Sequence, residues 1–246
     1  MRSGNPFLKE DSFDTGGLHQ TGNSMTLEGV ANKTLLLLAL CVVVAFASWM
    51  TILNNPSLGF ILFLVGVIGG FAAVIAMWKM DKRKAVYIAP IYAAFEGLVL
   101  GPLSGIMEAF YPGIVVQAVA LTFGIFLAML VIYRMRLIKP TENLAIGLSA
   151  AIGAIMMIYM VSFLLAMFSP FQIPYIHGNG LIGIGFSLLV IGVAALTFVF
   201  DFDFIENGVD RAAPKHLEWY AAFGLMVTLV WLYIEILRLL SKIRSR

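Results

Sequence analysis

The sequence predicts an all-α fold: a polytopic membrane protein whose seven transmembrane helices form a bundle. Of its 246 residues, 61% are hydrophobic and only 12% are charged, whereas soluble domains carry about 25% charged residues. The mean hydropathy of +0.94 exceeds what a soluble globule of this size could bury. We therefore exclude cytosolic enzymes, nucleic-acid binders and secreted disulfide scaffolds. Because Cys41 is the single cysteine, the chain cannot form an internal disulfide or a cysteine-based metal cage.

Seven apolar runs carry this prediction, and each is about 20 residues long, the length that crosses ~30 Å of hydrocarbon as a helix. A helix is required because lipid offers no partner for backbone N–H and C=O groups. The first two runs form a hairpin, since only residues 54–57 (NNPS) separate them. In order, the runs are Thr34–Leu53, Leu58–Trp78, Ala85–Met107, Gly113–Tyr133, Leu144–Phe168, Leu181–Phe200 and Trp219–Leu240.

Three regions follow from these runs: a polar tail over 1–33, a membrane domain over 34–240 and a basic tail over 241–246. The first tail is rich in Gly, Ser, Thr, Asn and Asp and has no apolar period, which is typical of a mobile segment. A cleaved signal peptide is the alternative for the first run. We favour a retained helix because the preceding region is long and not basic.

Lysine and arginine counts predict the orientation, because cytoplasmic loops are enriched in these residues. The N-terminal tail and the loops on its side carry twelve, whereas 54–57, 108–112 and 169–180 carry none. The N-terminus is therefore predicted to be cytoplasmic, in a bacterial inner membrane. Seven full crossings would place the C-terminal tail outside, which conflicts with the basic residues that it carries. We prefer seven crossings, with a re-entrant last segment as the alternative.

The third run carries small residues at every fourth position, which lets another helix approach closely. The pattern fits packing inside the bundle, and a dimer face or a moving seam is the alternative. Pro90 and Pro102 in the same run permit bends. The strip consists of Ala93, Gly97, Gly101 and Gly105.

Two acids lie deep inside apolar runs, where a charge is costly and usually faces protein or water. Glu96 has no oppositely charged neighbour along its run and is the stronger candidate for an ion pathway. Glu235 precedes Arg238 by three residues, so an ion pair on one helix face is the simpler interpretation.

Asp201 and Asp203 follow the sixth run and are predicted to form an acidic mouth at the cytoplasmic edge, together with Glu206 and Asp210. An ordinary polar helix end is the alternative. The spacing does not match an EF-hand, because Ile205 and Glu206 occupy positions that need an oxygen ligand and a glycine. No metal site is firmly assigned.

Other functional classes lack the residues that they require. The last run has no lysine that could bind retinal, and Ser104 lies in a turn without the spacing of a serine nucleophile. The three histidines fall outside the apolar runs, and phosphate-binding glycine motifs are missing. We expect neither an enzyme nor a bound cofactor.

Five segments together resemble the bacterial branch of the Bax inhibitor-1 family, also called the transmembrane Bax inhibitor motif family. The resemblance covers roughly residues 25–242. It implies a seven-helix fold in which two three-helix layers surround a central last helix, and a pH-sensitive calcium leak. The segments are APIYAAFEG (89–97), LGPLSG (100–105), YPGIVVQ (111–117), FDFDFIENG (200–208) and EWYAAFGL (218–225).

The resemblance also implies a pH sensor made of two aspartates, one ending the sixth helix and one inside the seventh. Asp201 matches the first position, with Asp203 as the second choice. Thr228 stands where the second aspartate would be, so this sequence departs from the pattern. Two close carboxylates can share a proton, whereas a carboxylate and a threonine cannot. Glu235 lies two turns further along the helix.

Two functional hypotheses follow. The first is a membrane protein that conducts or senses a cation, calcium or protons, through Asp201, Asp203, Glu96 and Glu235. The second is a non-conducting protein that binds other membrane proteins through its small-residue strip. An intramembrane enzyme is the least favoured. In each case the lipid bilayer is the main partner, and no nucleic acid is expected.

Overall fold

The computed structural model describes residues 24–168 and 178–245, which form seven long helices. All seven are long and apolar enough to cross a membrane, so the predicted seven-helix membrane fold is confirmed. A short 3-10 turn, Lys82–Lys84, precedes the third helix. The helices are α1 (Leu27–Asn54), α2 (Pro56–Lys79), α3 (Ala85–Phe110), α4 (Ile114–Arg134), α5 (Glu142–Phe168), α6 (Leu181–Asp210) and α7 (Leu217–Arg244).

Helix α7 occupies the centre of the bundle. Helices α1, α2 and α3 pack on one another, α6 packs on α4 and α5, and α7 contacts α1, α3, α4 and α6. Ala221, Phe223, Met226 and Leu232 on α7 are fully buried. The arrangement agrees with the two layers and central last helix that the family resemblance implies.

Helix α1 begins at Leu27, earlier than the predicted domain boundary at 34. The hydroxyl of Thr26 accepts a hydrogen bond from the N–H of Gly29 at 3.0 Å, which caps the first turn. Met25 is buried, and its N–H donates to the carbonyl of Ala213 at 2.7 Å. The predicted polar tail was therefore too long at its C-terminal end. Residues 1–23 lie outside the described part of the chain.

Helix α6 also exceeds its predicted length, because it continues past Phe200 to Asp210. The aromatic side chains of Phe200, Phe202 and Phe204 are all buried. They hold the extra turns of α6 inside the bundle, although aspartates alternate with them in the sequence.

Helix α7 is continuous to Arg244, beyond its predicted end at Leu240, and runs the full length of the bundle. A re-entrant last segment is therefore wrong for this chain. The basic residues at its end have partners within the protein. Lys242 donates to the carbonyl of Gly183 at 2.9 Å, and Arg244 donates to the carbonyl of Pro112 at 2.7 Å.

Candidate functional site

A buried contact between α6 and α7 joins Asp201 to Thr228. The Thr228 hydroxyl donates to a carboxylate oxygen of Asp201 at 2.7 Å, and the carbonyl of Gly224 lies 3.3 Å from the same hydroxyl. Asp201 is 0% exposed and Thr228 is 2% exposed. Asp201 is therefore buried inside the bundle, and α6 continues beyond it to Asp210.

This contact joins one carboxyl group to one hydroxyl group. A hydroxyl can donate to a carboxylate and can equally accept from a protonated carboxyl. The Asp201–Thr228 contact can therefore persist in either charge state. A change in protonation alters the charge inside the bundle without requiring the two helices to separate.

A cavity of about 330 Å³ lies between α5, α6 and α7, next to this contact. Thr228 lines it, so one side of Thr228 faces the cavity while its hydroxyl contacts Asp201. Most of the wall is apolar. Tyr159, Glu235 and Arg238 form the polar end, which lies roughly 10 Å from Thr228 along α7.

Glu235 accepts hydrogen bonds from three neighbouring side chains, Tyr159, Trp231 and Arg238. The Tyr159 hydroxyl lies 3.0 Å from both carboxylate oxygens, and Arg238 donates to them at 3.1 and 3.3 Å. Arg238 also lies over the Tyr159 ring, 4.7 Å from its centroid. The structure thus contains the ion pair that the three-residue spacing suggests, and Tyr159 joins it from α5.

Asp203 does not share a site with Asp201. Residues two apart on an α-helix point about 200° apart, and the half-buried Asp203 instead accepts a hydrogen bond at its backbone carbonyl from the Asn207 side chain, at 2.8 Å. Glu206 accepts from the Tyr133 hydroxyl and, at 2.7 Å, from Arg136. Asp203 and Glu206 lie on one face of α6 and Asp201 lies on the opposite face, so Asp201 is not part of the predicted acidic mouth.

Glu96 lies on α3, away from the α5–α7 cavity. Its carboxylate is hydrogen-bonded to the buried Tyr92 on the same helix and lies close to Gly70 of α2. The structure therefore places the two interior acids predicted from sequence, Glu96 and Glu235, in different parts of the bundle.

The small-residue strip of α3 lies against α1. A Cβ on Gly97 would stand 2.7 Å from the carbonyl oxygen of Cys41, and one on Gly101 would stand 2.2 Å from that of Ala45. Gly105 contacts the ring of Trp49 in the same way. Ala93, the first member of the strip, is fully buried. In this structure the strip is an internal contact.

A third buried acid, Glu218, joins the start of α1 to the start of α7. Its carboxylate accepts from the N–H and hydroxyl of Thr26, at 3.0 and 3.1 Å, and from Lys33. Glu218 is 0% exposed, and Gly29 packs directly against it. The sequence gives no local signal for this cluster, because Lys33 and Glu218 lie 185 positions apart at the edges of apolar runs.

His216 occupies the N-terminal cap position of α7. Its Nε2 is buried and has no hydrogen-bond partner among the described residues. Burial and the nearby Arg83 hold the pKa of His216 below its usual value, and Asp81 offsets this only in part. The positive end of the α7 dipole acts in the same direction.

We expect acid to destabilise the protein through His216. Below about pH 6.5 the unfolded chain binds a proton that the folded His216 resists, so stability falls as the pH drops toward the lowered folded pKa. In the variant His216→Phe this component is lost. Its melting temperature in detergent, relative to wild type, should rise steadily from pH 7.5 to pH 5. A difference between the two proteins that does not change with pH would contradict this role.

A family model described as Bax inhibitor 1 like matches residues 5–245 of the chain. No curated protein matches the sequence. The family match covers all seven helices, including the Asp201–Thr228 contact and the α5–α7 cavity.

Proposed function

The chain belongs to the Bax inhibitor 1 like family, and on this basis we propose that it is a pH-sensitive cation leak channel. The cation would be calcium or protons. One observation supports the proposal: the fully buried carboxyl of Asp201 contacts a threonine that lines the α5–α7 cavity. Ionisable groups within membrane spans are costly and commonly mark ion pathways.

In this mechanism Asp201 is the pH-sensing group. Its ionised form places a negative charge beside the cavity wall at Thr228, where it attracts a cation, and protonation removes that charge. Because Thr228 offers a hydroxyl and not a second carboxyl, no proton is shared between two acids across this contact. The flux is then expected to change in one titration step instead of two coupled steps.

The test is calcium or proton flux into liposomes that contain the purified protein, measured from pH 5 to pH 8. We expect the wild-type flux to vary with a slope of about one proton. Asp201→Asn should abolish the pH dependence. Thr228→Asp places two carboxyls in contact and should introduce a second, coupled step.

Glu96→Gln is the matched control, because it removes an interior carboxyl that lies outside the cavity. Its pH midpoint should stay at the wild-type value. A pH response that persists in Asp201→Asn would show that another residue senses pH.

If the wild-type protein passes no cation at any pH, the channel proposal fails. A non-conducting protein that binds other membrane proteins then becomes the better explanation. Since α1 covers the α3 strip, such a partner would have to bind a different face of the bundle.

We also propose that the N-terminus lies on the cytoplasmic side of a bacterial inner membrane. The support is the excess of basic residues in the loops on that side, together with the internal partners of Lys242 and Arg244. These two residues are held by the bundle, so they compete less with the loops in setting orientation.

Cysteine labelling tests this orientation in a Cys41→Ser background. Asn179 and Lys139 are both exposed and lie at opposite ends of the bundle. Asn179→Cys should react with an impermeant maleimide in intact cells, whereas Lys139→Cys should react only after permeabilisation. The reverse pattern would invert the proposed topology.

A further inference from the structure

The α5–α7 cavity has the physical character of a binding site for hydrocarbon. Its volume of about 330 Å³ lies within the range of ligand pockets and is more than twice the ~150 Å³ of an engineered apolar cavity that stays dry and binds benzene. Ile152, Ile155, Val227 and Ile234 supply much of the wall. Water forms few hydrogen bonds along such a surface, whereas a lipid chain that enters the cavity stays in apolar surroundings.

The polar end of the cavity carries a partly exposed cation. The Arg238 side chain is 35% exposed, while its partner Glu235 is 1% exposed. A guanidinium has five N–H donors, and the hydrogen bonds to Glu235 use only one of its terminal nitrogens, Nη1. A further hydrogen bond joins the guanidinium to Tyr159, and the exposed part of the Arg238 side chain can still be approached from outside.

The cation that lines this end of the cavity suits an anionic head group. Glu235 is hydrogen-bonded by Tyr159 and Arg238, and of this group only Arg238 is a cation. Lys242 lies near the same carboxylate but is held by the carbonyl of Gly183 and the hydroxyl of Ser187. Arginine also suits carboxylate and phosphate geometry better than lysine does.

We propose that this cavity binds an anionic amphiphile. Its hydrocarbon chain lies between Ile152, Ile155 and Ile234, and its carboxylate or phosphate head group pairs with Arg238. Both a free fatty acid and an anionic phospholipid have this chemistry. The inference does not depend on ion conduction, since occupancy of the cavity is measured without any flux.

Trp231 lines the cavity and provides a fluorescent probe within it. The protein carries four tryptophans, so Trp49, Trp78 and Trp219 are replaced by phenylalanine to leave Trp231 alone. A second variant that retains only Trp78, which is 68% exposed on α2, reports bulk lipid. Both are placed in phosphatidylcholine nanodiscs and titrated with a dibrominated stearic acid, whose bromines quench nearby tryptophan.

We expect saturable quenching of Trp231 at low mole fractions, and gradual, unsaturated quenching of Trp78. Arg238→Gln should weaken the apparent affinity at Trp231 by about tenfold, as expected for the loss of a charged hydrogen bond. The matching dibrominated alcohol, which has no charge, should bind wild type with similarly reduced affinity. Brominated phosphatidylglycerol, compared with the free acid, distinguishes a phospholipid source from a fatty acid source.

Val227→Phe places a larger side chain in the cavity wall and leaves Arg238 unchanged. Because it reduces the space for a hydrocarbon chain, it should lower the saturable quenching of Trp231. It keeps the test decisive if Arg238→Gln fails to fold, as judged by gel filtration. Quenching of Trp231 that rises without saturation, as for Trp78, would overturn the proposal. Equal affinities of the brominated acid and the brominated alcohol for wild type would also overturn the proposal.

Discussion

Gly101→Ala is expected to destabilise the protein by about 3 kcal/mol, the upper end of typical overpacking costs. The added Cβ would stand 2.0 Å from the Ser48 hydroxyl and 2.2 Å from the carbonyl oxygen of Ala45. The second neighbour belongs to the backbone of α1, which cannot rotate away as a side chain can. Helix α1 would have to move as a unit, and its contacts with α3 and α7 would change with it.

Gly124→Ala is the matched control. It places the same methyl group on a helix, α4, where the described residues leave open space around the new Cβ beyond the backbone of α4 itself. Alanine favours a helix over glycine by about 1 kcal/mol, so this variant should equal or exceed wild-type stability. Thermal unfolding in detergent compares the two directly. Equal stability of both variants would mean that α1 does not press against the α3 strip.

Lys33→Met is expected to cost about 3 kcal/mol, because breaking a buried ion pair typically costs about 3–5 kcal/mol. Lys33 is 19% exposed but its partner Glu218 is 0% exposed, so the substitution leaves a buried carboxylate without its counter-charge. Denaturant unfolding in mixed micelles measures the change. Lys79→Met, at an exposed lysine at the end of α2, should have little effect.

The double variant Lys33→Met/Glu218→Gln separates charge from packing. Glutamine keeps an acceptor for Thr26 but carries no charge, so most of the stability lost in Lys33→Met should return. If the double variant is less stable than Lys33→Met, then the packing of Glu218 is more important than its charge.

The number and order of the helices could be predicted because lipid requires helices of a certain length. The residues at which the helices begin and end could not be predicted in the same way, since polar residues alone do not end a helix. The segment after Phe200 alternates aspartate with phenylalanine, yet the buried aromatic side chains keep it helical and inside the bundle. Leu27–Lys33 likewise contains charged residues that pair with distant parts of the chain instead of remaining in a flexible tail.

The candidate site was predictable only in part. The family resemblance singled out Asp201 and Thr228, and the structure brings them to 2.7 Å. The involvement of Tyr159 and the cavity beside it depends on how α5 packs against α7, which no local pattern encodes. Glu235 and Arg238 could be paired from sequence because their spacing places them on one helix face.

The central position of α7 has a consequence for biosynthesis. The six helices around it leave the ribosome earlier, so they enter the membrane before the segment that fills their centre exists. During that interval Lys33 lacks Glu218 and Asp201 lacks Thr228, the partners that α7 supplies. A nascent chain that stops before Leu217 therefore lacks the α7 partners of both side chains, and its six helices surround no central helix.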